Sequence, residues 1–207
     1  MQFVSGISAV SKLRSVSLLA ASVAAMASVT AGASATTPLV GLDALRVYNL
    51  VVLGDLVSSS EVEGRTFVGG NLSGNSSNYQ IRPAPATGPS VPGLTVVGDV
   101  NGSHKNLDNG SGAIVGGNVN SGFNLNGGTQ TVLVGGAIQN TNVNQNTVNS
   151  NLGQTNPAFV QDLQQQKSLM QTSMTGLSHD LSTQAANSAL TISGNKGTFN
   201  AQPAAAN

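Results

Sequence analysis

Ala113-Ile114-Val115-Gly116-Gly117-Asn118-Val119 is the stretch that decides the fold, because four other segments repeat its pattern. They are Val51-Val52-Leu53-Gly54-Asp55-Leu56, Thr66-Phe67-Val68-Gly69-Gly70-Asn71-Leu72, Thr95-Val96-Val97-Gly98-Asp99-Val100 and Val132-Leu133-Val134-Gly135-Gly136-Ala137-Ile138. Each places a short β-prone apolar run before a Gly-rich corner and one more apolar residue after it. The first corner glycines, at 54, 69, 98, 116 and 135, are 15, 29, 18 and 19 residues apart. The long gap holds a Pro-rich insertion, Arg82 to Pro92, whose Pro83, Pro85, Pro89 and Pro92 exclude a central strand. A period near 18 residues suits one coil of a β-solenoid, in which short strands stack on their equivalents in neighbouring coils. The expected fold is an all-β solenoid of the right-handed β-helix type with one long amphipathic α-helix packed along its flank.

Composition agrees with that reading. The chain has 25 glycines and, by direct count, 22 asparagines in 207 residues, with 8% charged and 3% aromatic residues. Ordinary soluble domains carry about 25% charged residues. Eight basic and eight acidic residues cancel, so no Lys/Arg cluster exists to hold phosphates, and nucleic acid is not an expected partner. The absence of Cys removes disulfide scaffolds, thiolate nucleophiles and Cys-ligated metals. In a solenoid, Val, Ile and Leu fill a narrow interior. Corner Gly is expected to take positive φ, which β-branched residues avoid. Asn tolerates left-handed turns and can stack on Asn of the next coil, so Asn118–Asn126 and Asn140–Asn151 are the expected turns and ladders.

The first 35 residues read as a signal peptide. Lys12 and Arg14 precede a Leu/Val/Ala/Ser run from Ser15 to Val29, and cleavage is expected after Ala33 or Ala35. The run is shorter than the roughly 20 residues that span a bilayer, so the mature chain is expected to be exported, slightly acidic and without a transmembrane segment. From Asn156 the pattern becomes helical. Asn156 is a candidate N-cap and Pro157 suits the first helical position. Phe159, Leu163, Met170, Met174, Leu177 and Leu181 share one face, which predicts a helix over about 157–186 docked on the solenoid flank. Leu190 to Phe199 reads as one more strand and corner of a domain spanning 36–200, followed by a disordered tail at 201–207.

Tyr48-Asn49-Leu50-Val51-Val52-Leu53-Gly54-Asp55, then Ser60-Glu61-Val62-Glu63-Gly64-Arg65, then Val68-Gly69-Gly70-Asn71, resembles the opening of the bacterial choice-of-anchor A domain. The likeness continues through further Φ-V-G-G-N coils, a long helix and a returning strand, over about residues 42–200. It implies a secreted β-helical adhesin held at the cell surface by one of several C-terminal sorting signals. Its signature residues here are Asn49, Gly54, Asp55, Glu61, Glu63, Gly64, Arg65, Gly69, Gly70 and Asn71, with further coil corners at Gly98, Asp99, Gly116, Gly117, Asn118, Gly135 and Gly136. Two departures stand out: Glu61 replaces the family's usual lead-in, and no LPxTG-like or other sorting signal follows Phe199. A truncated or released product is expected on that account.

Candidate sites are few. Glu61 and Glu63 are two apart and expected on one side of a strand with Arg65, as an acid–base pair for glycoside cleavage, a Ca²⁺ site, or a patch in which Arg65 neutralises Glu63. The last is preferred. Asp55 and Asp99 are expected to cap their own turns. His104 and His179 lack zinc-ligand spacing, and neither a G-x-S-x-G elbow, a dinucleotide fingerprint nor a Ca²⁺-binding nonapeptide repeat occurs. No cofactor is expected. Thr66, Thr95, Thr129, Thr131, Thr191 and Thr198 raise ice binding through a regular Thr face, although their spacing is irregular. The expected function is non-enzymatic adhesion to a cell-surface or matrix glycan or protein, or to an abiotic surface, through flat Asn/Thr/Ser-rich faces. A polysaccharide-active enzyme using Glu61 or Glu63 is the alternative, and ice binding the second. The oligomeric state is not legible.

Overall fold

The computed structural model describes residues 38–85, 88–184 and 188–201. The segment expected to be a signal peptide, with Ala33 and Ala35, and the residues beyond Ala201 lie outside the described residues.

Chain stacking begins with α1 (Gly41–Val47) and a first coil of β1 (Tyr48–Val52), β2 (Leu56–Val57) and β3 (Glu61–Val62). The second coil is β4 (Arg65–Val68), β5 (Leu72–Ser73) and β6 (Ser77–Tyr79), and the third β7 (Leu94–Val96) and β8 (Lys105–Leu107). The fourth holds β9 (Ala113–Val115) and β10 (Phe123–Leu125), the fifth β11 (Thr131–Val134), and the sixth β12 (Thr147–Asn149). Equivalent strands pair in parallel. One wall is the six-stranded sheet β1-β4-β7-β9-β11-β12, a second is β3-β6-β8-β10. The third is β2-β5, continued by single bridges through Val100, Val119 and Ile138.

The period-two alternation of each strand sorts side chains between the inside and outside of the tube. On the six-stranded wall, Val68, Val96, Val115 and Val134 lie inside, in the buried core with Leu72, Tyr79, Val100, Leu107, Val119 and Phe123, and Val52 continues their column, half-buried, in the first coil. The register Val51–Phe67–Thr95–Ile114–Leu133–Asn149 forms the outer column. That column is covered by the helix α3 (Pro157–Ser182), which follows the short helix α2 (Leu152–Thr155).

Why one helix suffices follows from lengths. Val160 Cγ2 lies over the Gly135 corner and Leu163 Cδ1 over Gly116, whereas Met174 packs in the cluster with Leu53 of the first coil. Residues 160 to 174 rise about 21 Å, and four coil spacings amount to about 19 Å. The helix therefore runs back down the stack at nearly one coil per turn, burying Leu163 and Met170 and leaving Leu181 65% exposed past the first coil. At that end Gly41 N donates to Ser173 Oγ at 3.0 Å, which ties α1 to α3. Tyr48 and Phe67 meet edge-to-face beneath the helix, with centroids 5.9 Å apart.

Four expectations need correction. The helix stops at Ser182, short of 186, because Ser182 Oγ and Thr183 Oγ1 donate to the carbonyls of His179 and Asp180 and cap the last turn. Asn156 precedes it without a side-chain cap bond. The strand after the helix is not a further coil: β13 (Ser188–Ser193) and β14 (Lys196–Ala201) form an antiparallel hairpin across Gly194-Asn195, with Gly194 at φ +58°. Ala201 thus belongs to a strand. A two-residue Gly-Asn loop between apolar alternations is a hairpin signal.

The corner glycines themselves are needed for a different reason from the one expected. Gly69, Gly98, Gly116 and Gly135 do not adopt positive φ. Instead, a Cβ on Gly69 would strike the Leu53 backbone, on Gly116 the Val97 backbone, and on Gly135 the Gly116 backbone. The coils are drawn together there by Gly70 N→Gly54 O (2.8 Å), Gly98 N→Gly70 O (2.9 Å), Gly117 N→Gly98 O (3.0 Å) and Gly136 N→Gly117 O (2.9 Å). Positive φ occurs at the next corner, where Gly102 stacks on Gly74 and Gly122 lies against Asn140.

Candidate functional site

Because α3 covers one wall, two walls stay open: the second carries a column of side-chain amides, and the third carries the amide pair Asn101–Asn120 in line with Ser73 and the exposed Val57. At the corner after the covered wall, Asp55, Asn71, Asp99 and Asn118 stack one per coil. Asn71 N donates to Asp55 Oδ1 (2.6 Å), Asp99 N to Asn71 Oδ1 (2.8 Å), Asn118 N to Asp99 Oδ1 (2.6 Å) and Ala137 N to Asn118 Oδ1 (2.9 Å). Asp55 and Asp99 therefore bind the next coil rather than capping their own turns. Acid and amide alternate, so no carboxylate faces another one coil away, where repulsion would be strongest. The column ends at Ala137, whose side chain has no acceptor.

On the second wall, Glu61, Asn78, Asn106 and Asn124 occupy one register column. Asn78 Nδ2 donates to Glu61 Oε1 at 3.0 Å, Asn106 Nδ2 donates to Asn78 Oδ1, and Asn124 Nδ2 to Asn106 Oδ1 at 2.7 Å. Parallel pairs Asn120→Asn101 (2.8 Å) and Asn126→Asp108 (3.0 Å) flank it. Asn78 and Asn106 each spend an N–H and a lone pair on their neighbours in the column, and Asn124, at its end, spends only an N–H. In the fifth coil, Thr141 Oγ1 and Asn142 Oδ1 accept from Phe123 N (3.0 Å) and Leu125 N (2.7 Å) and thereby cover the edge of β10.

The Glu-Val-Glu-Gly-Arg segment resolves into three separate jobs. Glu61 heads the amide ladder. Glu63 pairs with Arg82 of the Pro-rich insertion at 3.0 Å, and not with Arg65 as expected. Arg65 turns to the same insertion from the other side, donating through Nε to Val91 O (3.1 Å) and through Nη2 to Pro89 O (3.4 Å). Asn49 is the extra residue of a bulge between Tyr48 and Leu50, and its side chain occupies the space a Cβ on Gly64 would need. The signature residues Asn49, Glu63, Gly64 and Arg65 consequently line one shallow hollow of about 110 Å³. Sequence alone missed Arg82, which a repeat-based reading had set aside as insertion.

Inside the tube, Lys105 is fully buried and donates through Nζ to Gly74 O (3.0 Å) and Asn75 O (2.7 Å). Burial holds its ammonium below the ordinary lysine range, and burial likewise pushes the Tyr48 and Tyr79 hydroxyls up. His104 Nε2 lies 3.0 Å from Asn140 O, and His179 is exposed on α3. Among the described residues no three His, Asp or Glu side chains are placed to hold a metal ion. No helix among them is long and apolar enough to cross a membrane.

A family model described as "Putative Ice-binding-like adhesive domain" matches residues 41–207. The chain belongs to that family. The matched region takes in α1, every coil, the helix and the hairpin. No curated protein and no solved structure matches the chain. Membership agrees with an adhesin-like domain. The Thr face that ice binding would use on the sequence reading is not assembled among the described residues. Thr66 is buried inside the tube, Thr95 is buried under α3, and Thr191 pairs with Thr198 in the hairpin. Thr131 has a Thr partner only in Thr147 of the adjacent coil.

Proposed function

We propose that this domain is exported and binds, without catalysis, through the amide-laddered second wall and the Asn101–Asn120 pair beside it, which α3 leaves uncovered. The observation that carries this is the pair of columns Glu61–Asn78–Asn106–Asn124 and Asn101–Asn120, held in register by their own hydrogen bonds. A pre-ordered row of donors and acceptors, one per coil at about 4.8 Å, loses little side-chain entropy on contact and adds many weak bonds. Its partner is a hydroxyl-rich surface, as on a matrix polysaccharide. Glu61 and Glu63 hold Asn78 and Arg82 instead of converging on one point, which supports adhesion over glycoside cleavage. The resemblance of the Val62-Glu63-Gly64-Arg65 segment to choice-of-anchor A domains supports a cell-surface location.

Because the sequence contains no Cys, one can be introduced for site-directed blocking. Asn124→Cys carrying a polyethylene glycol maleimide covers the second wall, whereas the same label at Gln171→Cys sits on the exposed side of α3. Adhesion to polysaccharide films should fall with the first label and persist with the second. Equal effects of the two labels, or no binding by the unlabelled protein, would overturn the reading. The family's description favours ice as a second ligand, and thermal hysteresis with growing ice crystals tests it directly.

A further inference from the structure

We infer that the first-coil end of the solenoid is an interface that takes a second copy of the same chain, head to head about a two-fold axis. The interior of the tube is open there. Val52, Leu56 and Val62 are half-buried, whereas Val68, Leu72 and Tyr79, their column neighbours in the second coil, are fully buried. β1, β2 and β3 each end their sheets at this coil, so all three walls stop on a strand edge without a further strand. The helix α1 packs against β1 and α3 but leaves those three side chains half-exposed. Stacked repeats need a cap where the stack stops, and a bare edge pairs readily with another chain.

The same end carries the apolar surface. Nine large apolar side chains are exposed among the described residues, and seven of them belong to the first coil or to the segments beside it. Leu42 and Leu45 lie on α1, Val57 on β2, and Leu181 on α3 past the first coil. The other three, Leu190, Ile192 and Phe199, are 63–70% exposed on the hairpin, which starts six residues after Ser182 and so lies within about 20 Å of the helix end. Leu190 and Phe199 are cross-strand partners, and Ile192 shares their face. A two-stranded hairpin with one apolar face is marginal until that face is covered. At roughly 100–150 Å² apiece, the six side chains on α1, α3 and the hairpin offer about 750 Å², close to what one partner buries in a standard protein–protein interface.

Charge and asymmetry select the occupant. Asp43 and Arg46 on α1 neutralise each other at 3.0 Å, and Lys196 is the one charge on the hairpin strands. Two copies therefore meet without massed like charge, and a lipid surface finds no basic fringe. The far end of the stack is finished differently: Thr141 and Asn142 cover the edge of β10, and Val143 is the one large apolar side chain exposed there among the described residues. A patch confined to one end pairs with itself and closes, whereas two complementary ends would grow a fibre. The amide walls run along the sides of the tube and stay free, so this interface does not rest on the adhesive reading.

Sedimentation velocity of the chain cleaved after Ala35 should show a dimer that dissociates on dilution, with a Tm that rises with protein concentration. Phe199→Asp and Leu45→Asp should each weaken dimerisation by about ten-fold or more, because a two-fold interface contains every substitution twice. Val143→Asp, the same kind of change at the far end, should leave it unaltered. All three positions are exposed in the single copy, so the variants keep the fold, and far-ultraviolet circular dichroism checks this. A monomer at every concentration, as when the hairpin folds onto its own first coil, would overturn the inference. So would oligomers that grow past the dimer, or equal sensitivity to Val143→Asp. A monomer that co-floats with phosphatidylcholine–phosphatidylglycerol vesicles would give the patch to lipid and overturn it as well.

Discussion

Gly116→Ala and Gly54→Ala alter the same position of the repeat, yet the structure assigns them opposite effects. At Gly116 an added methyl meets Val97 C at 3.1 Å and Leu163 Cδ1 at 3.4 Å, with Val97 O closer still. The coil cannot move away, because Gly116 N→Val96 O (2.8 Å) and Gly117 N→Gly98 O (3.0 Å) hold it to its neighbour. Overpacking of this kind costs about 1–3 kcal/mol. Against it stands the stiffening of the unfolded chain, worth about 0.4–1 kcal/mol wherever Ala can adopt the native φ. At Gly54 no coil precedes among the described residues and nothing lies within 4 Å of the new methyl, so only the favourable term remains. The two variants should differ by about 2 kcal/mol, or about 4–8 °C in Tm for a domain of this size. Calorimetry with urea titration as a second probe measures the difference. Equal destabilisation by both would mean that the corners need Gly for its dihedral freedom, and the steric argument would be refuted. Equal tolerance would mean that the coils are free to separate.

The remaining predictions concern the ladders, the interior and the helix. Asn71→Asp keeps the acceptor for Asp99 N but loses the Nδ2 donor to Asp55, and it sets a carboxylate one coil from two others. It should cost roughly 1–2 kcal/mol at low ionic strength, with much of the loss recovered in molar salt. Lys105 has a lowered pKa in the folded state, so below the unfolded lysine value of about 10.4 the unfolded chain binds more protons. Stability should therefore rise with pH through that window, until above about pH 10 the raised Tyr48 and Tyr79 reverse the slope. Urea midpoints measured from pH 8 to 10 should climb in the parent and stay flat in Lys105→Met. Met170→Ala, at a fully buried position on the docked face of α3, should cost about 2–5 kcal/mol. Leu181→Ala, past the end of the stack, should stay within about 0.5 kcal/mol in the same unfolding assay.

What the sequence alone determined was the repeat and everything that follows from a period. Apolar runs ahead of each corner define a strand that must stack on its copy, and Pro157 and the 3.6-residue face from Phe159 to Met174 define the helix and its docking side. Those signals are local, so they survive without coordinates. The tertiary structure decided which residues of different coils meet. Asp55 caps Asn71 sixteen residues away, Arg82 displaces Arg65 as the partner of Glu63, and Thr66 and Thr95 are removed from any exposed face. Stacking converts a separation of one coil into a contact of a few ångströms, and an insertion such as Arg82–Pro92 changes the residue count without changing the stacking. The Gly-Gly corners show the difference most plainly: their sequence marks where the chain turns, but the reason for Gly is the neighbouring coil's backbone, which no single repeat contains.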